Sequence, residues 1–421
     1  MIDLMLQGSE WIRPSAGLPI VQWALLLALA AAAGHLSQRY LGLPQVLGYS
    51  VVGALAGFSG YTAASWPLDG IARFLVELGL AIMLFEAGAR LSLRWFRHNP
   101  MLLLQSAAEA MLTYLAARWV LNAFAVDAAL HTPLALLLVA TSPAVLMRVA
   151  ADLHASGPVT ERTLTLAALN TFYVLTLGGV LARLLGRSPA TLADAFQPAL
   201  LSIAASLLVG GVLAYALRQA LRYMSPASEN TAVLQLALIA AGAALAAHFG
   251  GSAPLAALLA GVMLRATHPR PWYGPRQFGT AAGGLTILLF VLVSMAAAQA
   301  PWAWEAWSLM AALVLARTLA KAAAIALGGW GSGASIRQAL WTAAAMWPMS
   351  AVALLLVSQF VEFAPEPGVR VAAIALPLIL FMEVLGALMA TLALQRAGEA
   401  GQTPTGRPVR LKEPGDSRDA A

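Results

Sequence analysis

Apolar residues run along this chain in blocks about as long as a bilayer is thick, and polar residues gather between the blocks. A helix needs about 20 apolar residues to cross ~30 Å of hydrocarbon. Thirteen blocks are predicted as spans, near 18–37, 44–60, 70–90, 100–121, 131–150, 162–185, 196–217, 230–248, 252–266, 279–299, 305–329, 337–358 and 370–396. The second and ninth are short, which predicts tilted or broken helices. The expected fold is therefore all-α and polytopic, with about 13 transmembrane helices.

The pattern also repeats. Gly79-Leu80-Ala81-Ile82-Met83-Leu84-Phe85 returns as Gly284-Leu285-Thr286-Ile287-Leu288-Leu289-Phe290, and Leu55-Ala56-Gly57 returns as Leu259-Ala260-Gly261. Pro143 and Pro348 keep the same spacing, each inside a long apolar block. Proline removes a backbone donor and clashes with the preceding turn, so each block is expected to break there. The partner of each span lies seven spans on, an odd number, so the two copies cross the membrane in opposite directions. An inverted repeat is predicted, with two broken helices crossing at the midplane: repeat 1 at about 18–185, a connector helix at 196–217, repeat 2 at about 230–396, and a disordered tail at 397–421. Paired broken segments of this kind point to the binding site of a secondary transporter.

Composition agrees with a membrane protein. Hydrophobic residues make up 60% of the 421 and charged residues 10%, against roughly 25% charge in a soluble domain. With no cysteine, disulfides, thiolate metal sites and cysteine nucleophiles are excluded. The N-terminus has no basic n-region or small-residue cleavage site, so the first helix is expected to remain. If the N-terminus is periplasmic, most basic residues fall on the cytoplasmic side, including Arg90, Arg94, Arg97, Arg265, Arg270, Arg407, Arg410 and Lys412. The other side then receives only Arg13, Arg73, Arg118, Arg183, Arg187 and Arg370. That bias predicts N-out, C-in in a bacterial inner membrane. It also accounts for the formal charge of +6 without nucleic-acid binding. No nucleotide-binding Gly-rich loop and no metal-ligand cluster stands out, which argues against an enzyme and against a cofactor.

Several polar groups lie inside the blocks. Thr141 and Ser142 precede Pro143, and their hydroxyls and freed carbonyls are candidates for coordinating a cation. Arg317 and Lys321 stand at i, i+4 on one helical face. A cation at that depth should face the protein interior and be paired or functional. Glu77 and Glu86 lie in the third block. Glu109 and Glu383 share the depth of Arg317 and are its candidate ion-pair partners, or proton carriers.

Taken in order, several segments resemble the monovalent cation:proton antiporter family, the bacterial sodium/hydrogen exchangers and potassium-efflux antiporters. Leu43-Pro44-Gln45-Val46-Leu47-Gly48-Tyr49 with Gly53 and Gly57 is similar to the family's second span, and Glu77-Leu78-Gly79-Leu80 with Leu84, Phe85 and Gly88 to its third. Ala253-Pro254-Leu255 through Gly261 resembles a later short span, and Glu383-Val384-Leu385-Gly386 the last. The resemblance implies exchange of a monovalent cation, Na⁺ or K⁺, for protons. It places a site in span 6 at an Asp preceded by Asp, Asn or Gln, with a Lys or Arg from span 11 nearby. Here the matching positions are Asn170 and Thr171, so the aspartate is missing, while Lys321 or Arg317 supplies the base.

A threonine hydroxyl does not titrate near pH 7. The proton carrier is then expected to be Lys321 or Glu109, with Asn170 and Thr171 offering oxygens to a cation. Two other readings remain on the same fold: a carrier of an anion or a neutral solute, and a membrane regulator that transports nothing. The expected motion sets a core of spans 4–6 and 11–13 against a scaffold of spans 1–3 and 8–10, which would also form a homodimer.

Overall fold

The computed structural model describes residues 18–60, 66–68, 70–91, 93, 96, 99–185, 192–225, 228–267, 276–302, 306–349 and 351–401. Arg13, Arg94, Arg97, Arg187, Arg270, Arg407, Arg410 and Lys412 of the charge argument lie outside them, as does the tail from 402 onward. Among the described residues the regular elements are α-helices. The first half contains α1 (Leu18–Leu41), α2 (Gln45–Ser59), α3 (Gly70–Arg90), α4 (Pro100–Ala123), α5 (Ala128–Val139), α6 (Pro143–Asp152) and α7 (Pro158–Leu185). Helix α8 (Leu192–Tyr223) leads to the second half: α9 (Glu229–His248), α10 (Ala253–Thr267), α11 (Arg276–Ala298), α12 (Ala306–Gly331), α13 (Ile336–Ala345), α14 (Ala351–Phe363) and α15 (Pro365–Ala397).

Helices stand at each predicted block, and the fifth and twelfth blocks are each split in two. By length and composition alone, seven segments qualify as spans: Val21–Leu41, Ala128–Asp152, Pro158–Leu185, Gln197–Tyr223, Glu229–His248, Ala306–Gly329 and Pro365–Ala397. Helices α2, α10 and α14 are shorter, and α3 is diluted by Arg73, Glu77, Glu86 and Arg90. Neutralising contacts make those charges tolerable: Arg73 bonds Glu77 at 3.1 Å and Glu362 at 2.7 Å, and Arg90 lies 3.5 Å from Glu86.

Small residues set how closely the two halves approach. α2 packs along α11 and α3 along α10. At the first contact Gly57 lies on the backbone of Met295; at the second Gly261 lies on the backbone of Phe85 and Ala89. A β-carbon at either glycine would run into main chain, so the residue type is dictated by the approach. The two contacts interchange the halves, as a pseudo-two-fold relation requires.

Contacts sort the helices into two groups. One joins α2, α3, α8, α9, α10 and α11. The other joins α4, α5, α7, α12, α13, α14 and α15. Helix α15 reaches across to α11 and α2, and α6 reaches α3 and α2. The broken pair α5–α6 is buried over most of its length, with Leu134, Ala135, Leu137, Ala144, Val145 and Val149 in the core.

Residues 398–401, assigned to the tail by polar composition, fold against the start of α7. Gly398 ends α15 in the left-handed conformation (φ 78°), and Glu399 folds back to the start of α7. Its carboxylate accepts from the backbone N–H groups of Val159 and Thr160, each at 2.7 Å, and from the Thr160 hydroxyl. The Gly401 N–H donates to Leu153 O at 3.1 Å. An acidic group at a helix N-terminus meets unpaired donors and the positive end of the dipole, which holds these residues in place.

Candidate functional site

The two breaks define the centre. After Val139 the chain is extended at Ala140, Thr141 and Ser142, and α6 restarts with Pro143 in its first turn, where a missing N–H costs no helix bond. The Ser142 side chain caps α6 by accepting from Val145 N at 3.2 Å. The second break begins after Ala345 and includes Met346, Trp347, Pro348 and Met349; Ser350 lies outside the described residues. The segments touch directly, with Ser142 N donating to Pro348 O at 3.0 Å.

Arg317 reaches into this crossing from α12 and is fully buried. Its Nε donates to Leu138 O, one Nη to Trp347 O and the other to Ala140 O, all at 2.8 Å. The second Nη also lies 3.5 Å from Thr141 Oγ1. The expected Arg317–Glu ion pair is absent; the partners are carbonyls freed at the ends of α5 and α13. Each helix C-terminus carries about −0.5 charge, so two of them balance one guanidinium. The carbonyls expected to coordinate a cation are different ones: Thr141 O accepts from the Thr171 hydroxyl and Ser142 O from Leu146 N, both at 3.2 Å.

Glu109, on α4, pairs instead with Lys321, one turn beyond Arg317. Both side chains are at most 1% exposed. Lys321 Nζ also donates to Thr141 Oγ1 at 3.1 Å and lies 3.4 Å from Val139 O. The second Glu109 oxygen accepts from Asn170 Nδ2 at 2.7 Å, and Thr113 Oγ1 lies 3.4 Å from the first. Asn170 Nδ2 is 3.3 Å from Thr141 Oγ1, whereas its Oδ1 is buried with no partner. Thr171 donates to Thr141 O at 3.2 Å, tying α7 to the first break.

Thr141, Asn170, Thr171, Lys321 and Glu109 thus form one cluster, with Arg317 beside it and Ser142 serving as a cap. Glu383 is not part of it: its contact is Ser50, at 3.3 Å. Sequence reasoning missed Thr113, although its i, i+4 spacing from Glu109 was available as a signal. The cluster is closed to solvent. A cavity of about 160 Å³, lined by Arg73, Glu77, Thr176, Arg183, Ser252 and Glu362 among others, approaches it from one end. Thr176 on its wall stands about 7.5 Å along α7 from Thr171.

An all-helical bundle with two broken helices crossing beside buried charges defines a secondary transporter of a membrane. The chain belongs to the sodium/hydrogen exchanger family: the family described as "Sodium/hydrogen exchanger, transmembrane" matches residues 24–396. It is a multi-pass transporter of the sodium/hydrogen exchanger type rather than an enzyme. The fold resembles the sodium proton antiporter MjNhaP1 from Methanocaldococcus jannaschii in two solved structures. The one at pH 8 is 16% identical over 90% of this chain and 98% of that chain, with a TM-score of 0.66. The other, from an electron-microscopy map, is 14% identical over 92% and 100%, with a TM-score of 0.71. No curated protein sequence matches the chain.

Proposed function

We propose that this protein exchanges a monovalent cation, Na⁺ or K⁺, for protons across a bacterial inner membrane, using Glu109 in place of the absent span 6 aspartate. The observation that carries the reading is Glu109 itself, which bridges Lys321 and Asn170 at the crossing. A carboxylate from α4 stands where the resemblance called for one from α7.

Exchange follows from competition for that carboxylate. Without a cation, the Lys321 ammonium neutralises Glu109. An entering cation takes Glu109, Thr141 Oγ1 and the unpartnered Asn170 Oδ1 as oxygen ligands. The Lys321 N–H bond then breaks, its proton leaves to water, and the neutral amine withdraws. Protonation on the other side reverses the sequence and expels the cation. Arg317 stays bound to its carbonyls throughout and holds the broken helices together.

An anion carrier is less well supported, since Arg317 is saturated by carbonyls and Lys321 is neutralised by Glu109. The reading includes thirteen crossings, a periplasmic N-terminus, a cytoplasmic C-terminus and a homodimer built on the scaffold of α1–α3 and α9–α11. The test is proton flux in proteoliposomes under an imposed pH gradient, with Na⁺, K⁺ or Li⁺ added. Wild type should give cation-dependent flux and Glu109→Gln none. Equal flux in both would sink the proposal.

A further inference from the structure

Glu383 is a buried carboxyl that the exchange cycle above does not use. It lies in the middle of α15, with 2% of its surface exposed. One oxygen accepts from Ser50 Oγ of α2 at 3.3 Å; the other, Oε2, has no partner. The buried Ser294 hydroxyl of α11 stands beside the carboxyl.

Among the described residues, no cation is free to neutralise it as a carboxylate. On α12, Arg317 is held by carbonyls and Lys321 by Glu109. On α6, Arg148 bonds Gln45 and pairs with Asp152 at 3.4 Å. On α7, Arg162 bonds Ser332 and Arg183 bonds Gly250 O; Glu161 and Tyr173 bring no positive charge. On α5, His131 meets Val126 O, and on α2, Tyr49 bonds Gln45. On α14, Glu362 is bound to Arg73. Arg337 begins the first turn of α13, at its far end from the break. On α15 itself, Arg370 pairs with Asp127, Arg396 is in the last turn and Glu366 in the first. Helix α11 contributes no charge near Ser294.

A bare carboxylate here would carry a desolvation cost of several kcal/mol. A carboxylic acid fits without one: Oε1 accepts from Ser50, Oε2 carries the proton, and the Ser294 hydroxyl is a neighbouring acceptor for it. The position also matters. Ser50 and Ser294 belong to one helix group and Glu383 to the other. One turn beyond Glu383, Gly386 lies against the backbone of Pro348, where a β-carbon would come within 2.5 Å of its Cα. The carboxyl therefore sits on the seam between the groups and is connected to the second break.

We propose that Glu383 is a proton-binding site separate from the Lys321–Glu109 pair, loaded while α15 lies against Ser50 and Ser294 and unloaded to water when the seam opens. On opening, the Oε2–H bond breaks, the proton passes to water as hydronium and the hydrated carboxylate remains. The return stroke is made with the carboxylate hydrated, and it takes up a proton from water only when the seam faces the other side of the membrane. The unloading step rests on the movement of the two groups in the proposed exchange; the loaded state does not.

Infrared difference spectroscopy of the full chain in lipid tests the loaded state. A carbonyl stretch of a buried carboxylic acid should be present in wild type and absent in Glu383→Gln. Ser50→Ala should keep that band but shift it, so a folding failure of the first variant does not decide the matter. Wild type without the band, or Glu383→Gln and Ser50→Ala both leaving it unmoved, would overturn the site. Reversal potentials in proteoliposomes test unloading: Glu383→Gln should move one proton fewer per cycle than wild type, and an unchanged ratio would refute transport through Glu383. A wild type silent in flux would fault the exchange proposal, while the infrared band still reads the proton on Glu383.

Discussion

Removing one member of the Lys321–Glu109 pair should be worse than removing both. Glu109→Gln leaves a buried ammonium facing a neutral amide, and Lys321→Met leaves a buried carboxylate held only by Asn170 and Thr113. Breaking a buried pair from one side costs about 3–5 kcal/mol, whereas replacing both charges with neutral groups is often near neutral. With an unfolding entropy of roughly 2.1 cal/mol/K per residue over 421 residues, each single variant should melt about 3–6 °C below wild type. The double variant should recover most of that loss, because neighbouring partners are strongly non-additive. The assay is thermal aggregation of purified protein in one detergent, read for all four proteins by size-exclusion fluorescence. Flux should be lost in all three variants, which separates the role of the pair in transport from its role in stability. A double variant no more stable than the worse single variant would show that the two charges do not neutralise each other.

Other outcomes follow from the same geometry. Glu109→Gln combined with Thr171→Asp returns a carboxylate to the cluster from α7, and flux in proteoliposomes should recover at least in part from the single variant. Gly386→Ala pushes a methyl group against Pro348, at an overpacking cost of about 1–3 kcal/mol, and should lower both melting temperature and flux. Gly284→Ala, which meets nothing within 4 Å, should change neither. The Asp127 carboxyl at the start of α5 is held below its ordinary range by the Ala129 N–H and by Arg370. Its contribution is full above about pH 4 and is lost as pH falls through the lower folded value. The hydrogen-exchange protection factor at the start of α5, which corrects for the slower intrinsic exchange in acid, should therefore fall on acidification in wild type and be low already at neutral pH in Asp127→Ala.

Much of the frame could be read from residue pattern because two strong signals agreed. Apolar blocks located the helices, and the repeated prolines showed which blocks break. The site was legible in membership more than in wiring. Asn170, Thr171, Thr141, Lys321 and Glu109 were all singled out, yet Glu109 and Glu383 stood equally as partners for Arg317. One helical turn separates Arg317 from Lys321, and a linear sequence does not say which of them faces α4. Nor could it show that carbonyls of both breaks converge on Arg317, since that depends on how close the two breaks lie. Glu399 was lost in polar composition, because a cap formed with a distant helix leaves no local pattern.

Helices α4 and α12 occupy corresponding places in the two halves, and they lie side by side at the centre. At the spacing that relates Pro143 to Pro348, Glu109 corresponds to Val314 and Lys321 to Ala116. Two identical chains packed about a two-fold axis would carry such an acid–base contact twice or not at all, because residue i of one meets residue j of the other and the reverse. This chain carries it once, so the charge at the crossing is lopsided where the helices are symmetric.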